Sequence, residues 1–345
     1  MDERAARIDA FVDRAGWAGA RRVPLAGDAS NRRYLRLYPA TGGDSAVLMD
    51  APPARGEDVR PFLRIARHLR RIGLSAPAIL AADEAAGLLL LEDLGDDLFA
   101  RVLDTCPDLE NSLYCGAIDT LLALHAEPVP AACAPYDAAL MSRLAGLAFD
   151  WYAAGGTGTD SSAARDRFCA VLEPLLAEHA GAEVLILRDY HAENLIWLPA
   201  RAGAARVGLL DFQDAMAGHR AYDLVSLLQD ARRDVPEGLE SAMLARYMAA
   251  AGLRGPQAAA FQSAYHLLGA QRNLRIIGVF ARLCLRDGKA RYVDLIPRVW
   301  ALLQRDLADP ALAALRPLLA AGLPAPSPDI LDRLKRQCAT IPARQ

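Results

Sequence analysis

The chain has 345 residues, enough for two lobes with separate cores and too many for one small module. Hydrophobic residues make up 53% of it, which argues against general disorder. With 39 basic against 42 acidic residues the formal charge is −3, so no global basic field exists. Nucleic acid is therefore not expected as a main partner, whereas a local basic site for a phosphate-bearing ligand stays open.

The six cysteines, Cys106, Cys115, Cys133, Cys169, Cys284 and Cys338, are scattered and form no C-x-x-C pair. Neither a zinc site nor a disulfide framework is suggested, and reduced thiols in a cytoplasm are the simpler reading. The opening residues MDERAARIDAF are charged and amphipathic, without an apolar signal-peptide core. Leu88 to Leu91 is too short to cross a bilayer, so a cytoplasmic protein with no membrane role is expected. Nothing in the sequence points to a protein partner.

In chain order, a short opening helix leads to the turn-rich run Gly27-Asp28-Ala29-Ser30-Asn31. Tyr34 to Tyr38 then alternates large apolar and charged residues, as a half-exposed strand does. The Gly42-Gly43 turn and the apolar run Ala46 to Met49 complete a hairpin, which Pro52 and Pro53 end. From Glu57 to Arg71, Val59, Phe62, Leu63, Ile65, Ala66 and Leu69 recur at helical spacing. Two short strands follow around Ile79-Leu80 and Leu88 to Leu91, closed by the polar turn Glu92 to Asp97. This places a lobe boundary at residue 95, with 1–95 as a smaller mixed α/β lobe and 96–345 as a larger helical lobe.

Beyond the boundary the sequence is rich in Ala and Leu and mainly helical, with one exception. Ile186-Leu187, Leu195 to Leu198 and Val207 to Leu210 are short apolar segments set among polar residues. They frame Asp189, Asn194 and Asp211 in the pattern D-x-x-x-x-N, then strand, then D. Phosphoryl transfer needs these groups: one carboxylate, Asp189, to accept a hydroxyl proton, and two oxygen ligands, Asn194 and Asp211, to hold Mg²⁺ on the nucleotide phosphates. Hard oxygen donors suit Mg²⁺, which bridges phosphates and keeps several waters.

The segment Leu187-Arg188-Asp189-Tyr190-His191-Ala192-Glu193-Asn194 with Asp211-Phe212-Gln213 resembles the catalytic motif of aminoglycoside phosphotransferases and choline kinases. That resemblance implies an α+β, bilobal protein-kinase-like fold, with a small antiparallel-sheet lobe and a larger, mainly helical one. It implies ATP as co-substrate and Asp223 as the carboxylate that caps the catalytic-loop backbone, with Arg188 supporting the loop. It implies a nucleotide site at the backbone of Glu92, Asp93 and Leu94 and at a hairpin carrying Ser30, Asn31, Arg32 and Arg33. The sequence departs from the pattern twice: Leu187 stands where the family has His, and the strand Ala46 to Asp50 lacks the expected Lys. Arg32 or Arg33 is the candidate replacement cation, and Glu57 its candidate acidic partner.

Within the superfamily, Met49-Asp50-Ala51-Pro52-Pro53, Leu91 to Asp96 and Gln271-Arg272-Asn273 resemble bacterial anomeric amino-sugar kinases. Those enzymes phosphorylate the anomeric hydroxyl of N-acetylmuramate and N-acetylglucosamine in cell-wall recycling. The resemblance implies a sugar site beside Asp189, for which His191, Gln213 and Arg272 are candidates. Two alternatives stay open at this stage: another small acceptor (choline, homoserine or an aminoglycoside), or a nucleotide-binding pseudokinase.

Overall fold

The computed structural model describes residues 3–25, 31–40 and 42–342. The chain packs as two compact units, residues 1–127 with 192–215 and residues 128–191 with 216–345.

The first unit opens with helix α1 (Glu3–Arg14) and strands β1 (Arg21–Leu25), β2 (Arg33–Tyr38) and β3 (Ala46–Asp50). Helix α2 (Arg60–Arg71), strands β4 (Ile79–Asp83) and β5 (Leu88–Glu92), and helices α3 (Phe99–Thr105) and α4 (Glu110–His125) follow. The five strands form one antiparallel sheet in the order β1-β2-β3-β5-β4. The expected hairpin is present, with Leu35 opposite Leu48 and Tyr34 opposite Met49. Strand β1 was not expected, because Pro24 and two arginines hide its pattern. It lies at the edge, where one missing ladder N–H is tolerated.

Alternation along the strands gives the sheet two different faces. Leu37, Ala46, Leu48, Leu88 and Leu90 pack against Ile8, Phe11 and Val12 of α1. Burying each of the larger side chains contributes roughly 1.5–3 kcal/mol, so this cluster fixes the register. Tyr34, Arg36, Val47 and Met49 occupy the other face by the same alternation. Helix α2 starts three residues later than its periodicity suggested, leaving Glu57 in the turn before it. Pro61 explains the start, since proline lacks an N–H and fits the first helical turn.

The second unit begins with α5 (Ala138–Ala145), α6 (Ala154–Thr157), α7 (Ser162–His179) and strand β6 (Val184–Ile186). The chain then contributes β7 (Leu195–Trp197) and β8 (Val207–Leu209) to the first unit, paired antiparallel. Strand β9 (Met216–Gly218) returns to pair with β6. Helices α8 (Ala221–Leu228), α9 (Glu237–Ala250), α10 (Pro256–Leu285), α11 (Ile296–Asp306), α12 (Arg316–Gly322) and α13 (Pro328–Arg336) complete it.

Helix α10 is buried along most of its 30 residues. A Cβ at Gly278 would sit 2.5 Å from the Leu147 carbonyl oxygen, so glycine permits the close approach of the two backbones there. Its buried polar residues fan outward: Gln271 donates to the Met141 carbonyl (2.8 Å), Arg272 to Ser226 (2.8 Å) and Asn273 to Gln229 (2.9 Å). These bonds lock α10 to its neighbours by groups that would be costly to leave unpaired.

Candidate active site

In the second unit, β6 delivers the loop that carries Asp189. The fully buried Asp223, in the first turn of α8, accepts from the amides of Leu187 (2.6 Å) and Arg188 (2.9 Å), one on each carboxylate oxygen. Arg188 adopts φ +72°, a left-handed conformation that non-glycine residues avoid. Ser226 donates to its carbonyl (3.2 Å), and its guanidinium lies 5.3 Å from the centre of the Tyr136 ring. Arg272 in turn donates to Ser226. The bend at Arg188 is thus held from both of its peptide groups, as a pre-organised loop requires.

Asp189 stands among charges. Burial works to raise its pKa, but Arg275, then Arg272 and Arg188, outweigh burial and hold it below the ordinary carboxylate value. Arg275 donates to the hydroxyl of Tyr222 (3.4 Å), whose ring meets that of Tyr136 edge-on at 5.0 Å. His191 is buried, and burial pushes its pKa down to about 4, so it is a neutral imidazole at neutral pH. Arg232 Nη1 lies 3.3 Å from its Nε2.

In the first unit, the β7–β8 pair brings Asn194 and Asp211 together. Leu195 is opposite Leu209, and the Leu210 amide donates to the Asn194 carbonyl (3.0 Å). Asp211 is exposed and adopts φ +57°. Among the described residues only Arg188, Asp211 and Ala339 are non-glycine residues with positive φ, and two of these lie in the motif segments. Phe212 anchors the turn by stacking on Phe62 of α2 at 4.8 Å, and Gln213 donates to Asp211 Oδ1 (2.6 Å). Among the described residues no three His, Cys, Asp or Glu side chains gather as a metal group. Two hard oxygen donors suit a Mg²⁺ ion that takes its other ligands from phosphates and water.

The candidate phosphate residues separate. Ser30 lies outside the described residues. The Asn31 amide donates to Glu57 Oε1 (3.1 Å) and Arg32 Nε to Glu57 Oε2 (2.8 Å). Arg33 alternates away and meets Asp50 (2.8 Å), which Arg4 of α1 also holds. Tyr34 was read from sequence as a strand residue only. Its phenol hydrogen-bonds Arg32 and lies within electrostatic reach of Asp211, so Arg32 is linked toward the Asp211 turn. The period-2 pattern Arg32, Tyr34, Arg36 was the available signal.

At the end of β5 the side chains are engaged structurally. Glu92 accepts from the Ala78 amide (2.9 Å) and pairs with Arg70 and Arg201. Asp93 accepts from Ser45 (2.6 Å) and pairs with Arg36 (2.6 Å). Leu94 is buried. Backbone groups after Glu92 are therefore what this stretch can offer a ligand.

The chain belongs to the phosphotransferase enzyme family, whose model matches residues 21–262. It is 44% identical to an N-acetylmuramate/N-acetylglucosamine kinase of Caulobacter vibrioides, over 91% of this chain and 95% of that protein. A protein of the same name from Pseudomonas aeruginosa is 39% identical over 88% of this chain and 90% of its own. Among solved structures, the ADP-bound aminoglycoside phosphotransferase APH(2'')-Ib is similar with a TM-score of 0.58, at 15% identity, covering 88% of this chain and 97% of that one. The fold is the α+β, protein-kinase-like one that the motif resemblance implied.

Proposed function

We propose that this chain is an ATP- and Mg²⁺-dependent kinase that phosphorylates the anomeric hydroxyl of N-acetylmuramate and N-acetylglucosamine in the cytoplasm, during cell-wall recycling. The observation that carries this reading is 44% identity to a kinase of that name across more than nine-tenths of both chains. No helix among the described residues is long and apolar enough to cross a membrane.

In this reading Asp189 is the catalytic base. The anomeric oxygen attacks the γ-phosphorus, the bond from that phosphorus to the β,γ-bridging oxygen breaks, and ADP leaves. The hydroxyl proton passes to the Asp189 carboxylate. A carboxylate held below its ordinary pKa is a weak base, and an anomeric hydroxyl is more acidic than an ordinary alcohol. The proton leaves late in a loose transition state, so a weak base suffices. Asn194 and Asp211 hold Mg²⁺, which when bound neutralises charge on the phosphates.

Arg32, braced by Glu57, supplies the cation for the phosphates in place of the absent β3 lysine, with Asn31 beside it. The backbone of Glu92 to Leu94 meets the adenine edge. Arg272, whose Nε and Nη1 have no hydrogen-bond partner among the described residues although it is 3% exposed, receives the lactyl carboxylate of N-acetylmuramate. Gln213 orients Asp211, and His191 backs the sugar site as a neutral imidazole.

The test is ATP consumption with Mg²⁺ across N-acetylmuramate, N-acetylglucosamine, choline, homoserine and kanamycin. Turnover with the two amino sugars and an acid-labile product phosphate is expected. Turnover confined to one of the other acceptors would replace the reading.

A further inference from the structure

Asp230, just beyond the C-terminal end of α8, carries a carboxylate that the steps above do not use. It is 2% exposed, and only one of its oxygens is engaged: Oδ1 accepts from the Arg232 amide (2.9 Å). Oδ2 is buried without a hydrogen-bond partner among the described residues. An ionised carboxylate has about four acceptor positions, so a buried oxygen left bare is costly unless a ligand or water fills it.

Asp230 also lines a cavity of about 600 Å³ in the second unit, together with Gln229, Arg233, Glu237, Arg298 and Arg305. Gln229 is braced from behind by Asn273 (2.9 Å) and Asp306 (2.8 Å), so this wall is rigid. On the loop side Asp230 lies within electrostatic reach of His191 and of Arg272. Asp230 and Arg272 are thus opposite charges near one another, yet they share no hydrogen bond and each keeps open positions. A group that donates to the carboxylate and accepts from the guanidinium would satisfy both. A hydroxyl does both, and a monosaccharide presents several on one rigid ring.

We propose that Asp230 is the acceptor-recognition carboxylate of this enzyme, its Oδ2 accepting a hydrogen bond from a ring hydroxyl of the amino sugar. The inference rests on the amino-sugar reading above and adds the residue that selects the acceptor. Asp230 takes no proton in the reaction; it positions the sugar so that the anomeric hydroxyl meets Asp189.

The experiment compares wild type with Asp230→Asn on N-acetylglucosamine and on its 3-, 4- and 6-deoxy analogues. Asparagine keeps the shape and an oxygen for the Arg232 amide, and removes the charge. Wild type should lose about 10- to 100-fold in kcat/KM with one of the analogues, the range set by a hydrogen bond to a charged group. Asp230→Asn should lose a similar factor with the parent sugar and little more with that same analogue, with the KM for ATP and the Tm unchanged. A variant as efficient as wild type on the parent sugar would overturn the proposal. So would losses that multiply on every analogue, which is the pattern of a scaffold residue or of a site filled by water alone. An active wild type with an indifferent variant removes this inference alone, whereas a wild type inert toward both amino sugars removes it together with the reading beneath it.

Discussion

The guanidinium of Arg32 meets the carboxylate of Glu57 at 2.8 Å, immediately before a strand whose neighbour β3 lacks the expected lysine. Both side chains are largely buried, at 14% and 12% exposure, so solvent screens the pair less than a surface salt bridge. Burial works against the charge on Arg32, and Tyr34 and Glu57 more than restore it. By alternation Arg32 shares the face of Tyr34, and Tyr34 pairs across the ladder with Met49 of β3. In the proposed reading the cation for the phosphates comes from Arg32, just before β2, instead of from β3 itself.

Arg32→Ala should therefore weaken ATP binding by about 10- to 100-fold, the range for losing a charge-assisted hydrogen bond. Arg33→Ala should leave ATP affinity near wild type, because Arg33 is 58% exposed and paired with Asp50. Titration of each variant with ATP checks both; equal losses would return the two arginines to a shared role.

The difference between these neighbours could not be read from their adjacency in sequence. Which arginine turns inward depends on strand register, and register depends on the α1 cluster, a tertiary event. The motif around Asp189, Asn194 and Asp211 was legible for the opposite reason, since the chemistry fixes residue type and spacing. The unexpected strand β1 shows where pattern fails: Pro24 lowers strand propensity, and only its edge position makes it acceptable. Asp230 was invisible for a further reason. An aspartate after a helix looks like any solvated polar end until packing encloses it.

Asp211→Asn should raise the Mg²⁺ concentration needed for half-maximal activity by at least about 10-fold, because a neutral amide is a poorer ligand for a hard dication. The change should be accompanied by little loss of fold, since Asp211 is exposed and the turn is anchored by Phe212 on Phe62. A metal titration superimposable on wild type would remove Asp211 from the ligand set.

Asp189→Ala should lower kcat by roughly 10²- to 10⁴-fold, the span of a positioned general base, while ATP affinity stays within a factor of two or so. Removing this carboxylate also leaves Arg275, Arg272 and Arg188 with one less counter-charge among groups that hold it below its ordinary pKa. A modest loss of Tm is expected with the loss of turnover, and the two are separated by measuring ATP binding directly. Turnover comparable to wild type would remove Asp189 from the reaction.

Asp223 sets the expected pH dependence. Burial pushes its pKa up from 3.8 to about 7, the amides of Leu187 and Arg188 pull against that shift, and the charge of Asp189 adds to it. Only the ionised form accepts on both oxygens; once protonated, one oxygen presents a donor to an amide donor, and the loop loosens. Activity should therefore fall on the acid side with an apparent pKa near 7. Neither neighbour accounts for such a limb, since Asp189 titrates below its ordinary value and His191 near 4. Stability runs the other way. With the folded pKa above the unfolded one, the folded chain binds the extra proton between about pH 4 and 7, so this group's contribution falls as pH rises through that window. Asp223→Asn should abolish the limb, flatten that part of the Tm profile, and cost about 100-fold in kcat through misplacement of the loop. An unchanged acid limb in the variant would assign that proton to another group and leave Asp223 a purely structural cap.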